Sequence, residues 1–63
     1  MYIVRFVRVG SNPDEEYQYH NESAAMYHFS LFEDDDSGLY SLIEVVNILG
    51  SQEVQIAKMN LKY

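Results

Sequence analysis

The 63-residue chain has no cysteine and no tryptophan, one proline, three glycines, two histidines and four cationic residues. Without cysteine, neither a disulfide framework nor a thiolate-bound metal can form. Two histidines alone fall short of a tetrahedral structural zinc site. The three glycines are too few and too scattered to cradle a phosphate, and no Gly-x-Ser-x-Gly nucleophile elbow surrounds any of the serines. No cofactor motif is present, and so small a chain does not enclose a typical substrate pocket. An enzyme is not expected.

The cations Arg5, Arg8, Lys58 and Lys62 face ten carboxylates, for a net charge of −6. Such a balance repels nucleic-acid backbones and anionic membrane surfaces, both of which are held by clustered cations. A basic protein is the kind of partner this field attracts. The N-terminal run Tyr2–Val9 is interrupted by Arg5 and Arg8. It reads as neither a signal peptide nor a membrane span, so the expected location is the cytoplasm.

What is present is enough apolar mass to fold. Apolar residues make up 48% of the chain, and six tyrosines with three phenylalanines supply large buried area. A single domain over 1–63 is expected, near the size below which chains often need to oligomerise.

Residues 2–9 are β-branched and aromatic and predict a strand, with Tyr2, Val4 and Phe6 on one face and Ile3, Val7 and Val9 on the other. Gly10-Ser11-Asn12-Pro13-Asp14 marks a turn. Tyr17-Gln18-Tyr19-His20 alternates and suits a short edge strand beside the first. Asn21 suits a helix N-cap and Glu22 its first turn. Ala25, Met26, Phe29 and Phe32 then form one stripe, predicting a helix over 22–33 about 18 Å long. Asp34-Asp35-Asp36 would oppose the negative helix end, so the chain should leave the helix at Asp34 or Asp35.

Residues 39–49 are the most apolar stretch and favour a strand. Gly50-Ser51 suits a two-residue hairpin turn. Val54 and Ile56 alternate before the pattern slips to Ala57, Met59 and Leu61, which predicts a bulge near Ala57 or Lys58. The expected fold is α+β: an antiparallel sheet of three to four strands with one helix packed on one face, in the order β-(β)-α-β-β.

One helix covers one face, yet strands 2–9 and 39–49 are apolar on both. On the second strand Leu39, Ile43, Val45 and Leu49 oppose Tyr40, Leu42, Val46 and Ile48. An antiparallel sheet with a wet face should alternate with polar residues instead. The surplus predicts an association surface, most simply a two-fold homodimer interface at Tyr2, Val4, Tyr40, Leu42, Val46 and Ile48.

One spacing invites a metal-site reading. Glu33, Asp35, Ser37, Gly38, Ser41 and Glu44 fall at the first, third, fifth, sixth, ninth and twelfth positions of an EF-hand calcium loop. Against it, the first position should be Asp, the residues that follow favour a strand over the required second helix, and no second loop is present. Asp34–Asp36 could alternatively form a loose cation site. His20 and His28 have no metal-ligand spacing and read as surface or boundary residues. Arg5 and Arg8 are expected to pair with Glu44 or Glu53 across the sheet. Tyr17, Tyr19, Tyr27 and Tyr40 read as core-edge anchors or, together, as interface contacts.

Two functional readings follow. One is a small acidic interaction module, homodimeric through the under-covered sheet, with a sharper variant in which Asp14, Glu15, Glu16 and Asp34–Asp36 imitate phosphates and inhibit a basic protein. The other is a calcium-responsive module built on residues 33–44.

Overall fold

The computed structural model describes residues 1–61. It contains β1 (Tyr2–Arg8), β2 (Glu15–Tyr19), α1 (Glu22–Ser30), β3 (Tyr40–Leu49) and β4 (Gln52–Asn60). The four strands form one antiparallel sheet with α1 on one face, as the patterning predicts; the lateral order is β2-β1-β3-β4. Among the described residues no helix is long and apolar enough to cross a membrane.

The β1–β2 hairpin turns through Gly10, whose φ of 80° is open to glycine at little cost. Asn12 Nδ2 donates to Val9 O at 3.1 Å within the turn. The strand expected at 17–20 begins two residues earlier, because Glu16 and Glu15 continue the ladder opposite Arg5 and Phe6.

Asn21 caps α1 as anticipated: its Oδ1 accepts from Ala24 N at 2.8 Å, which satisfies one orphan amide of the first turn. The helix ends at Ser30, short of the predicted residue 33. Leu31 N is shared between Tyr27 O and His28 O, both at 3.3 Å, while Ser30 Oγ also donates to Tyr27 O at 2.8 Å. Phe32 N to Phe29 O and Glu33 N to Ser30 O then tighten the chain into i→i+3 turns. Carboxylates at four consecutive positions, 33–36, are unfavourable at a helix C-terminus, so continuing the helix would gain little. Phe32 still packs against the core, from this turn rather than from the helix.

Two bulges set the faces of β3 and β4. Val45 pairs Ala57 and Val46 pairs Gln55, so Ile56 is the extra residue, one position before the expected site. On the other side Val7 pairs Leu42 and Arg8 pairs Tyr40, leaving Ser41 extra. That second bulge has no counterpart in the apolar pattern. It places Tyr40 on the helix side, away from Leu42, Val46 and Ile48. The Gly50-Ser51 turn has positive φ at glycine only, as a type II′ hairpin requires.

The core lies between α1 and the sheet: Val4 and Phe6 from β1, Ile43 and Val45 from β3, and Ala25 and Phe29 from the helix. Tyr2, Tyr19, Met26, Tyr40, Ala57, Met59 and Leu61 pack around it. The helix backbone closely approaches β1, β3 and β2 but not β4, whose Ala57 and Met59 still pack against the core.

Candidate interaction surfaces

The helix-free face is organised by one cation. Arg5, near the middle of β1, donates from Nε to Glu16 on β2 (2.6 Å), from Nη1 to Glu44 on β3 (2.9 Å) and from Nη2 to Glu53 on β4 (2.8 Å). Gln55 Nε2 donates to the other oxygen of Glu44 at 2.8 Å. The bonds to Glu53, Glu16 and Glu44 push the guanidinium pKa up against the opposing effect of burial. Arg5 and Glu44 are directly opposed on neighbouring strands, while Glu53 is reached diagonally. The cross-sheet pairing expected from sequence therefore forms for Arg5. Arg8 instead stands 3.8 Å from Glu15, on the helix side, with its buried Nε lacking a hydrogen bond.

Beside this cluster the face is better closed than its composition suggests. Ile3 and Val46, paired across β1 and β3, are only 9% and 3% exposed with no helix above them. Val7, Leu42 and Ile48 are half-buried. The long stems of charged side chains can cover apolar surface while their heads stay wet, and Arg5 and Glu44 flank these residues on the same face.

The six residues expected to share one interface thus divide between two faces. Val4 is fully buried in the core, and Tyr2 and Tyr40 pack around it under the helix. Leu42, Val46 and Ile48 lie on the helix-free side. No single surface contains all six, because the parity of β3 changes at Ser41 and because the helix takes the Tyr2-Val4-Phe6 face of β1.

Uncovered apolar area lies in part on the β3–β4 hairpin, and in part at Val9, Tyr17 and Leu39 toward the other end of the sheet. Leu49, Val54 and Ile56 are 54%, 46% and 37% exposed. Leu49 and Val54 are on the helix side, where α1 stops short of β4. Met1 is exposed at the same end, its carbonyl accepting from Ile48 N at 2.7 Å. β4 is also the longer of the two edge strands, nine residues against five for β2. A second exposed pair, Tyr27 and Leu31, occupies the outer side of the helix and the turn that follows it.

Negative charge gathers at the opposite end of the molecule. Val9 N donates to Leu39 O at 2.9 Å and draws together the loops that follow β1 and α1. Asp14 and Glu15 leave one loop, and Glu33, Asp34, Asp35 and Asp36 occupy the other. Six of the ten carboxylates so form an acidic pole, with Arg8 at its base.

The residues of the calcium-loop spacing are scattered by the same topology. Asp35 Oδ2 accepts from Ser37 Oγ at 2.8 Å and from its backbone N at 3.4 Å, and Ser37 Oγ in turn accepts from Leu39 N. Gly38 takes the left-handed conformation, φ 77°, that the sixth position would need. Ser41 Oγ donates to Val7 O, and Glu44 sits on β3 in the Arg5 cluster. The segment following Gly38 is a strand, not a helix. Among the described residues no group of three or more His, Asp or Glu side chains could hold a metal ion, at Glu33–Glu44 or at Asp34–Asp36. The described residues also enclose no pocket.

His28 stands in surroundings that no spacing in the sequence indicates. It is enclosed by the rings of Phe6, Tyr17, Tyr19 and Phe32, at centroid distances of 5.1 to 5.8 Å, and its Nδ1 is 2.7 Å from Tyr19 Oη. Burial lowers its pKa. Tyr17 Oη donates to Glu15, which raises the tyrosine pKa. The alternation of Tyr17 and Tyr19 could have signalled an aromatic wall; its meeting with His28 depends on where α1 crosses β2. His20 is exposed just past β2.

Compared with known protein families, curated proteins and solved structures, the chain matches none.

Proposed function

We propose that the chain is a small protein-interaction module that pairs with a second copy of itself through its β3–β4 side. The supporting observation is the offset of α1, which covers three strands and leaves Leu49, Val54 and Ile56 exposed beside a long edge strand. Exposed apolar area next to unpaired backbone groups favours association, and a two-fold dimer is the commonest way to satisfy it. The near-matched charges of the helix-free face (Arg5 and Lys58 against Glu16, Glu44 and Glu53) keep repulsion between copies low on that side, while most of the net charge stands at the acidic pole. Sedimentation equilibrium at micromolar concentration tests the reading: a species of twice the 7.4 kDa chain mass is expected, and a monomer at every concentration would contradict it.

The acidic pole favours a second reading, compatible with the first: a basic protein as a further partner, engaged where carboxylates can imitate a row of phosphates. Such binding should weaken steeply as salt rises through the physiological range. Salt-insensitive capture would instead point to the apolar hairpin.

A further inference from the structure

We infer that the self-association proceeds by antiparallel pairing of β4 with β4 of the second copy, in the register that sets Glu53 of each protomer opposite Lys58 of the other. The inference rests on the self-associating reading above and adds to it the strand, the direction and the register.

β4 is an edge strand, so one row of its backbone donors and acceptors has no strand partner among the described residues. Its side chains are sorted by their partners on β3. Glu53, Gln55 and Lys58 oppose Ile48, Val46 and Glu44 and stand on the helix-free face. Gln52, Val54, Ala57 and Met59 oppose Leu49, Asn47, Val45 and Ile43 and stand on the helix side. The extra residue Ile56 reverses the odd–even rule: odd positions before it share a face with even positions after it.

Residues opposed across an antiparallel pair point to the same side of the sheet. Two copies of a bulged strand can meet this condition across the bulge only by pairing an odd position with an even one. One such register sets Glu53 opposite Lys58 and Val54 opposite Ala57, and also Gln52 opposite Met59. Every one of those pairs is face-matched. The two-fold axis repeats each pair, so two opposite-charge contacts form on the helix-free face, and on the helix side exposed Val54 of each copy meets the half-buried Ala57 of the other. Sliding by two residues sets Glu53 opposite Asn60 and loses the charge match. Centring the pair on Val54 uses only the half of the strand near the turn and leaves Lys58 with no carboxylate opposite. Lys58 is exposed and has no carboxylate within ion-pair distance among the described residues, while Glu53 is half-exposed beside Arg5. Lys58 is thus open to a carboxylate from outside the chain, and Glu53 would share its carboxylate between Arg5 and the second copy's lysine.

A charge-swap mixture tests the register. K58E sets two carboxylates against each other across the interface and should weaken self-association by about tenfold or more. E53K sets two lysines together and should do the same. A 1:1 mixture of the two variants restores opposite-charge contacts and should give a heterodimer at concentrations where each variant alone is monomeric. Circular dichroism confirms that each variant is folded. Should E53K fail to fold beside Arg5, E53Q mixed with K58E relieves the like-charge contacts and serves in its place. If K58E dimerises as tightly as the natural chain, the β4 pairing is wrong although self-association through another surface stands. If mixing restores nothing, the register is wrong. A natural chain that remains monomeric removes both this inference and the reading beneath it.

Discussion

The two faces of the sheet show different ways of dealing with apolar surface. On the helix-free side the chain lays a charged cluster across the sheet, and Ile3 and Val46 are buried beside it without any second layer. On the helix side it relies on α1, and where α1 stops, Val54 and Leu49 remain open. Cover is therefore not a matter of counting helices. The face that composition alone marks as bare carries an arginine bonded to three glutamates beside buried Ile3 and Val46, while a nine-residue helix leaves part of its own face open.

The largest expected effect comes from the region both layers depend on. Phe6→Ala removes the ring that meets Tyr17, His28, Phe32 and Tyr40 and should cost about 3–5 kcal/mol, enough to unfold most of so small a domain. Thermal unfolding followed by circular dichroism would register it; a melt within a few degrees of the natural chain would show that the helix-side core is not the main source of stability. Next is Arg5→Leu, which leaves Glu44 partly buried and without its cation. Glu16 and Glu53 are about half exposed and lose little, so the total should be about 2 kcal/mol by urea unfolding. A neutral or stabilising result would mean that the apolar neighbours, not the ion cluster, close the helix-free face.

Asn21→Ala tests the helical cover alone. Loss of the cap should cost about 1 kcal/mol and raise amide exchange in the first turn of α1 more than in β1. The smallest effect is a change of slope with pH. The pKa of His28 is lowered in the fold, so the unfolded chain takes up that proton first. The neutral form's contribution to stability is complete above about pH 6.5, the unfolded value, and is lost as pH falls through the lower folded value. His28→Asn should flatten this part of the stability curve; an unchanged slope would assign it to other groups.

The strands, the cap and the order of elements were legible because they rest on local signals: β-branched and aromatic residues in Tyr2–Val9, Asn21 before Glu22, Gly50 before Ser51. Cross-sheet pairing of Arg5 with Glu44 and Glu53 was legible too, since strand polarity limits which charges can meet. The single six-residue interface was not. Ser41 is an exposed serine in an apolar run, and nothing in its chemistry announces a bulge, yet that bulge alone moves Tyr40 to the helix side. The reach of α1 was also hidden. Charge alone puts its end at Asp34 or Asp35, whereas Ser30 and the shared amide of Leu31 end it earlier. The acidic pole needs two loops distant in sequence to meet, through Val9 and Leu39, and no spacing rule reveals that contact.

Amide hydrogen exchange measured at rising protein concentration compares the two sheet edges directly. The account predicts that amides of β4 on the side away from β3 gain protection as the second copy pairs, while those on the outer side of β2 exchange at an unchanged rate. Protection gained at β2, or none gained at β4 while the protein dimerises, would contradict it.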